Sequence, residues 1–261
     1  MNRLDYFKEL VIPEFFGVEE DCSYERYEGD IVLDLAIAAD KLVECDYAIG
    51  ASKMCLIPEG DYVVKIPFNC TIIPIPNFDD DENNEIDYNY ERFESAGNSE
   101  NDWDYCLTEL EIYNKIKKAG FECFVAKTEK LGETAAGYPL YIQEKVLVYN
   151  DITDEYKFSA SQGSKEKSKK AIDEYWHHHR SGYDSMSDDA AIGYVFSGPG
   201  SIFLSEVIEA YGYDLVAKFS QWVVKHEDIR SQITSDLHWG NIGFKKSNGK
   251  PCLLDFSGFY E

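Results

Sequence analysis

The chain carries the polar loop SDLHWGNIGF at residues 235–244, followed after the turn SNGK (residues 247–250) by the apolar stretch CLLDFSGF at residues 252–259. A short Ser-Asn-Gly turn between two apolar segments is typical of a β-hairpin. Because antiparallel strands pair residue by residue, the end of the loop and the end of the second strand should lie side by side. This segment is the most informative part of the chain.

Three polar side chains in this segment have the chemistry that phosphoryl transfer needs. That reaction requires a carboxylate to orient the attacking hydroxyl and accept its proton, and oxygen ligands for the magnesium ions on the polyphosphate. Asp236 fits the first role, and Asn241 and Asp255 fit the second. In the alternative interpretation Asp236 and Asn241 form an Asx-type turn and Asp255 caps a strand. The ordered set favours phosphoryl transfer.

The pattern D-L-H-x-G-N, then a hairpin, then L-L-D-F, resembles the catalytic and metal-binding loops of the protein-kinase-like phosphotransferases. It is most similar to phage and bacterial protein kinases and to kinases of the aminoglycoside phosphotransferase type. The resemblance implies an α+β, two-lobed fold with a small antiparallel-sheet N-lobe and a mostly helical C-lobe. It also implies ATP and Mg²⁺ as cofactors and a hydroxyl group on a protein or small molecule as acceptor. Because the chain stops soon after Asp255, we expect a truncated C-lobe.

The resemblance further implies a lysine on an earlier strand, held against the phosphates by a glutamate from the following helix. Lys65, the lone charge in the apolar run VVKI, fits this lysine, although a strand can also end in a solvent-facing lysine. Glu109 has apolar neighbours one helical turn away, which leaves its carboxylate able to point inward. Glu111 falls on a different helix face and is the reserve for this role.

Two further segments align with the nucleotide-binding parts of the family. Gly50 and Ser52 belong to GASKMCLI (residues 50–57), which aligns with the phosphate-covering loop but keeps only its first glycine. A plain hairpin turn is the alternative there. Glu144 and Val146 occupy the hinge positions whose backbone groups contact adenine, and a simple strand is equally compatible with their sequence.

We divide the chain into a helical extension at residues 1–44, a kinase-like N-lobe at residues 45–148 and a helical C-lobe at residues 149–261. Within the N-lobe, residues 78–104 are strongly acidic and rich in Asn, Ser and Gly. Such a composition is typical of a solvated loop.

Local patterns predict several secondary-structure elements. Short apolar runs from residue 46 onward favour consecutive antiparallel strands. An apolar stripe over residues 105–119, ended by Gly120, predicts a helix. Two strands should follow, around residues 124–130 and 138–149, and residues 201–226 should form two helices broken at Gly212.

The overall charge limits the partners. With 49 acidic against 25 basic residues among 261, the formal charge is −24, which repels nucleic acid and anionic membranes. The 7 cysteines contain no C-x-x-C pair, so neither a disulfide framework nor a zinc ribbon is indicated. The start MNRLDYFKEL lacks the apolar core of a signal peptide. Together with the loop variant, these features predict a cytoplasmic protein of a bacterial cell, encoded by a phage or by the bacterium.

Two other functions are compatible with the sequence. A protein of the same fold could transfer AMP instead of phosphate, using the same metal ligands. Alternatively, a catalytically weak, acidic pseudokinase could bind and block a basic partner protein by charge complementarity. The degenerate glycine loop favours the pseudokinase, whereas Lys65, Asp236, Asn241 and Asp255 favour an enzyme.

Overall fold

The computed structural model describes residues 46–49, 53–58, 60–76, 86–95, 104–133, 139–149, 160–178 and 183–256. These residues form two compact units of α+β class. The first contains the described residues up to Leu110 together with Thr128–Gln143, and the second contains Glu111–Lys127 together with the described residues from Glu144 onward. This division differs from the predicted boundary after residue 148, because residues 111–127 pack with the later part of the chain.

A sheet of six strands dominates the described part of the first unit. The strands are β1 (Asp46–Ile49), β2 (Lys53–Ile57), β3 (Tyr62–Pro76), β4 (Ile86–Ser95), β5 (Thr128–Glu133) and β6 (Pro139–Glu144). Their order is β1-β2-β3-β6-β5, with β4 paired to β3. The pairs β1–β2, β2–β3, β3–β4 and β5–β6 are antiparallel. The predicted run of antiparallel strands from residue 46 is confirmed, and buried Leu56, Val64 and Leu140 contribute to its core.

Strand β4 corrects the prediction of an acidic loop at residues 78–104. Residues 86–95 pair with β3 in antiparallel register, from Ile86 opposite Pro76 to Ser95 opposite Phe68. The alternation of Ile86, Tyr88 and Tyr90 with polar residues is the two-residue period of a strand. The acidic composition of the segment hid this signal.

The predicted helix after the acidic segment is confirmed as α1 (Tyr105–Lys118). Ile112, Tyr113 and Ile116 are buried on one side of it. The turn after the helix contains Gly120 with a positive φ of 83°, a backbone conformation that glycine adopts without strain.

The described part of the second unit combines five further helices with a small sheet. The helices are α2 (Gln162–His178), α3 (Asp188–Phe196), α4 (Gly200–Tyr211), α5 (Tyr213–Lys225) and α6 (Glu227–Thr234). The predicted break between two helices at Gly212 is confirmed, and Gly212 has a φ of 81°. In the core, the ring of Phe124 stacks on that of Phe219 with centroids 4.4 Å apart.

The small sheet has the order β7-β8-β9 and contains β7 (Val146–Val148), β8 (Ile242–Lys245) and β9 (Pro251–Leu253). Strands β8 and β9 form the predicted hairpin, with Ile242 opposite Leu253. On the other side of β9, Leu253 forms a parallel bridge with Val125, and the amide of Ala126 donates to the Leu253 carbonyl at 2.7 Å. These backbone contacts join residues 125 and 126 to residue 253, which lies far from them in the sequence.

Among the described helices, none is by itself long and apolar enough to cross a membrane. Helices α3 and α4 meet the length and composition test only as a pair, and they are bent by 119° relative to each other. The predicted helical extension at residues 1–44 lies outside the described residues.

Candidate functional site

The predicted site residues fall into two sets, one within each unit. In the first unit, Lys65 on β3 and Glu109 on α1 form an ion pair. The Lys65 ammonium Nζ lies 2.9 Å from Glu109 Oε1 and 2.8 Å from Oε2. Lys65 is 3% exposed and Glu109 is 0% exposed, so neither is an ordinary solvated surface charge. The predicted contact between the two residues is confirmed.

Asp104 fixes the helix that carries Glu109. Its Oδ1 accepts a hydrogen bond from the Leu107 amide at 2.9 Å, which caps the first turn of α1. Its Oδ2 accepts from the Tyr141 hydroxyl at 2.6 Å. One carboxylate therefore ties the start of α1 to strand β6, and Glu109 follows about one turn later on the same helix.

Three residues that sequence analysis did not assign complete this cluster. Lys53 on β2 is buried, and its Nζ lies 3.3 Å from Glu109 Oε2. Gln143 donates through Nε2 to Glu109 Oε1 and, at 3.0 Å, to the Thr128 hydroxyl. Lys53 is brought to this cluster by the register of β2 on β3, and Gln143 directly precedes the predicted hinge residue Glu144 on β6.

The two ammonium groups also affect a neighbouring thiol. Burial raises the pKa of Cys106 well above its usual range, and the positive charges of Lys53 and Lys65 lower it in part. Cys106 is therefore a protonated core side chain at neutral pH. It is not a nucleophile at this pH, because nucleophilic cysteines need a lowered pKa.

In the second unit, the loop after α6 carries Asp236 and Asn241. Asn241 is buried, and its amide nitrogen Nδ2 donates to the Asp236 carbonyl oxygen at 2.8 Å and to Asp236 Oδ2 at 3.1 Å. Since Nδ2 faces Asp236, the amide oxygen of Asn241 lies on the opposite side of the group. Asn241 thus orients the predicted base while its own oxygen faces elsewhere.

His238 lies beside Asp236 and is exposed. Its Nδ1 accepts a hydrogen bond from the Gly240 amide at 2.9 Å, so the proton of the neutral ring is on Nε2. Nε2 lies 3.6 Å from Asp236 Oδ1. The side chain is 58% exposed, which makes it accessible to a ligand of Asp236.

The hairpin brings Asp255 next to Asn241 along the backbone. The Leu254 amide donates to the Asn241 carbonyl at 3.1 Å, and Asp255 is the next residue. A carboxylate and an amide oxygen suit Mg²⁺, which takes one or two protein oxygens together with water and phosphate. Within the described ranges no group of three or more His, Cys, Asp or Glu residues could hold a metal by itself. One carboxylate and one amide oxygen would leave the remaining coordination positions of a magnesium ion to water and nucleotide phosphates.

An aromatic ring packs against the loop that carries Asp236 and Asn241. The ring of Tyr149 packs against that of Trp239, the residue after His238, with centroids 4.7 Å apart. The Tyr149 hydroxyl interacts with the buried carboxyl of Glu206 on α4. Burial raises the pKa of Glu206 to about 7, although this contact lowers it. Among the described residues, Glu206 Oε2 has no hydrogen-bond partner.

Gly198, in the turn between α3 and α4, also packs against the loop that carries Asp236. A Cβ atom added there would lie 2.0 Å from the Leu237 carbonyl oxygen, which no side chain could tolerate. Leu237 itself is buried. The backbone next to Asp236 is therefore packed directly against the backbone of this turn.

The two predicted adenine-binding positions, Glu144 and Val146, differ in whether their backbone groups already form hydrogen bonds within the second unit. The Glu144 amide donates to the Lys127 carbonyl at 2.8 Å, and its carboxylate lies 2.7 Å from Lys245 Nζ. Val146 faces Lys245 across the β7–β8 pair, and the Lys246 amide donates to the Lys145 carbonyl. In that antiparallel pattern the backbone groups of Val146 point away from β8, so they fit the predicted contact better than the Glu144 amide does.

The predicted phosphate-loop residues Gly50 and Ser52 lie outside the described residues. Comparisons of this chain with protein-family models, with curated proteins and with solved structures find no match.

Proposed function

We propose that the protein is an ATP- and magnesium-dependent phosphotransferase that acts on a hydroxyl group, with a Ser or Thr side chain of a protein as the acceptor. The observation that carries this proposal is the buried contact between Lys65 and Glu109, at 2.8 and 2.9 Å. An ion pair between residues so far apart in sequence was expected only because phosphotransferases need it.

In this proposal Lys65 binds phosphate oxygens of ATP and Glu109 keeps its ammonium group oriented. Asp236 orients the acceptor hydroxyl and accepts its proton, while the acceptor oxygen bonds to the γ-phosphorus and the bond to the bridging oxygen of ADP breaks. The hydrogen bonds from Asn241 to Asp236 support this role, because they fix the carboxylate that must face the acceptor. His238, with its proton on Nε2, is suited to donate to an anionic oxygen near Asp236.

Asn241 and Asp255 would hold magnesium through their side-chain oxygens. When bound, magnesium neutralises charge on the phosphates. The register of the β8–β9 hairpin supports the pairing of these two residues as ligands. The backbone of Val146 is the better supported of the two predicted adenine contacts, since the Glu144 amide is already bonded to Lys127.

The test is incubation of the purified protein with ATP labelled at the γ position and, separately, at the α position. We expect γ-label on an acceptor, on the protein itself or in inorganic phosphate, and no covalent α-label. Covalent α-label would instead identify an AMP transferase. The Asp236→Asn variant is the control for a contaminating kinase, because only transfer that this variant lacks belongs to the protein.

The second candidate function is binding of a basic protein without catalysis. The formal charge of −24 favours it, since charge complementarity speeds and steers association with a basic partner. A protein that neither binds nucleotide nor transfers either label, yet captures a basic partner in a salt-sensitive manner, would support this function over the enzyme.

A further inference from the structure

Glu109 is shared by two lysines from neighbouring strands. Lys65 contacts both of its carboxylate oxygens, at 2.9 and 2.8 Å, whereas Lys53 contacts only Oε2, at 3.3 Å. Both ammonium groups are buried, with Lys53 5% exposed and Lys65 3% exposed. Keeping a lysine charged away from water is costly, so a second one at the same carboxylate requires an explanation.

The strand register shows that this arrangement is built into the sheet. In the β2–β3 pair, Cys55 lies opposite Lys65 and Lys53 lies opposite Pro67. Since side chains alternate between faces, Lys53 lies on the same face as Cys55 and therefore as Lys65. The two lysines are diagonal neighbours that point to the same carboxylate.

We infer that Lys53 is a second phosphate-binding lysine beside Lys65, and that the site is built for a polyphosphate group. This inference rests on the proposed function, and it adds a residue that the motif resemblance did not assign. Charged donors form the strongest hydrogen bonds to phosphate. A chain of phosphates carries several negative charges, and two adjacent ammonium groups bind it better than one.

Because their contacts with Glu109 differ in length, the two lysines are suited to different roles in phosphate binding. Lys65 is held by two short contacts, so its ammonium group is oriented by Glu109. Lys53 lies farther from Glu109, at 3.3 Å, so turning its ammonium group toward a phosphate disrupts a weaker contact with this carboxylate. Gln143 also donates to Glu109 Oε1, and it keeps the carboxylate oriented when Lys53 moves.

The experiment is isothermal titration calorimetry of the parent and the Lys53→Gln variant with ATP and, separately, with adenosine. Glutamine keeps a neutral donor for Glu109 but removes the positive charge. We expect affinity for ATP to fall about 10- to 100-fold, the range for a hydrogen bond to a charged group, and affinity for adenosine to stay unchanged. Lys130→Gln is the matched control, because Lys130 lies on β5 of the same sheet with an exposed side chain and forms its ion pair with the exposed Glu133, at 3.1 Å, and not with Glu109.

A second variant, Lys53→Arg, keeps the charge and should retain more ATP affinity than Lys53→Gln. Unchanged ATP affinity in Lys53→Gln would overturn the inference and leave the proposed function intact. Equal losses for ATP and adenosine in both variants would also overturn it, because Lys53 would then serve only to stabilise the fold. A parent protein that binds neither compound would refute the proposed function and this inference together.

Discussion

The amide nitrogen of Asn241 lies 2.8 Å from the Asp236 carbonyl oxygen and 3.1 Å from its carboxylate oxygen Oδ2. A single side chain thus fixes both the backbone and the carboxylate of the proposed base. The contact needs only an oxygen at position 236, and an asparagine there can supply it.

The Asp236→Asn variant should therefore fold and bind ATP as the parent does, but transfer phosphate about 10²- to 10⁴-fold more slowly, the usual contribution of a general base. The measurement is γ-phosphate transfer, including autophosphorylation and ATP hydrolysis, together with ATP affinity. Asp173→Asn, at an exposed position of α2, is the control and should keep full activity. Undiminished transfer in Asp236→Asn would show that Asp236 only shapes the turn.

Removing Lys65 should cost less stability than removing Glu109. Lys65→Met leaves Glu109 in contact with Lys53 and Gln143. Glu109→Leu instead removes the carboxylate that both buried lysines share, and breaking such a buried pair costs about 3–5 kcal/mol. Urea unfolding measures both variants. Equal losses of unfolding free energy in the two variants would contradict the sharing of Glu109 by both lysines. In Lys65→Met, the loss of turnover, expressed as a free energy, should exceed the loss of unfolding free energy.

Glu206 should make the protein less stable at alkaline pH. Its pKa is about 7 in the folded protein against 4.5 for the free side chain, so the folded state binds the proton more tightly. The free energy of unfolding is then highest below pH 4.5 and falls as the pH rises toward 7, by about 2–3 kcal/mol.

The Glu206→Gln variant should lack this part of the pH dependence and be more stable than the parent at pH 8. Urea unfolding at several pH values tests this. The exposed Glu227→Gln variant should keep the parent's pH dependence. If Glu206→Gln has the parent's profile, Glu206 is ionised in the folded protein at neutral pH.

Asp255→Asn should remove the effect of magnesium on ATP binding without unfolding the protein. If the parent binds ATP as proposed, ATP at 100 times its Kd should stabilise the fold by about 2.7 kcal/mol, and we expect magnesium to tighten that binding. A thermal-shift assay with ATP, with and without magnesium, measures the difference. An unchanged magnesium effect in Asp255→Asn would exclude this residue as a ligand.

Gly198→Ala should displace the loop that carries Asp236, because the new Cβ would lie 2.0 Å from the Leu237 carbonyl oxygen. We expect lower stability and a loss of phosphate transfer. Gly163→Ala is the contrasting control, since a Cβ there meets nothing within 4 Å and alanine favours a helix. A fully active and stable Gly198→Ala protein would show that the loop tolerates movement.

Local sequence patterns were sufficient for much of the fold. The stripe of apolar residues and Gly120 predicted α1, and Gly212 predicted the break between α4 and α5. The contact of Lys65 with Glu109 followed from the motif order. The helix and the break depend on residues close together in sequence, and the ion pair was predicted because phosphoryl transfer requires an oriented lysine.

Other features depend on contacts between distant residues and were missed. Lys53 became part of the cluster through the register of β2 on β3, which no local period specifies. The strand at Ile86–Ser95 was hidden by its acidic composition. The burial of Glu206 depends on packing against residues such as Tyr149, far away in the chain, and a lone glutamate in a helix gives no sign of it.

The bridge between Val125 and Leu253 has a consequence for biosynthesis. Residues 125 and 126 leave the ribosome long before β9, so their hydrogen-bonding partner does not yet exist. Such long-range pairing slows folding and leaves a partly formed unit exposed to aggregation. The second unit can therefore close only after Leu253 has been synthesised, and a nascent chain that has not reached Leu253 should depend on chaperones.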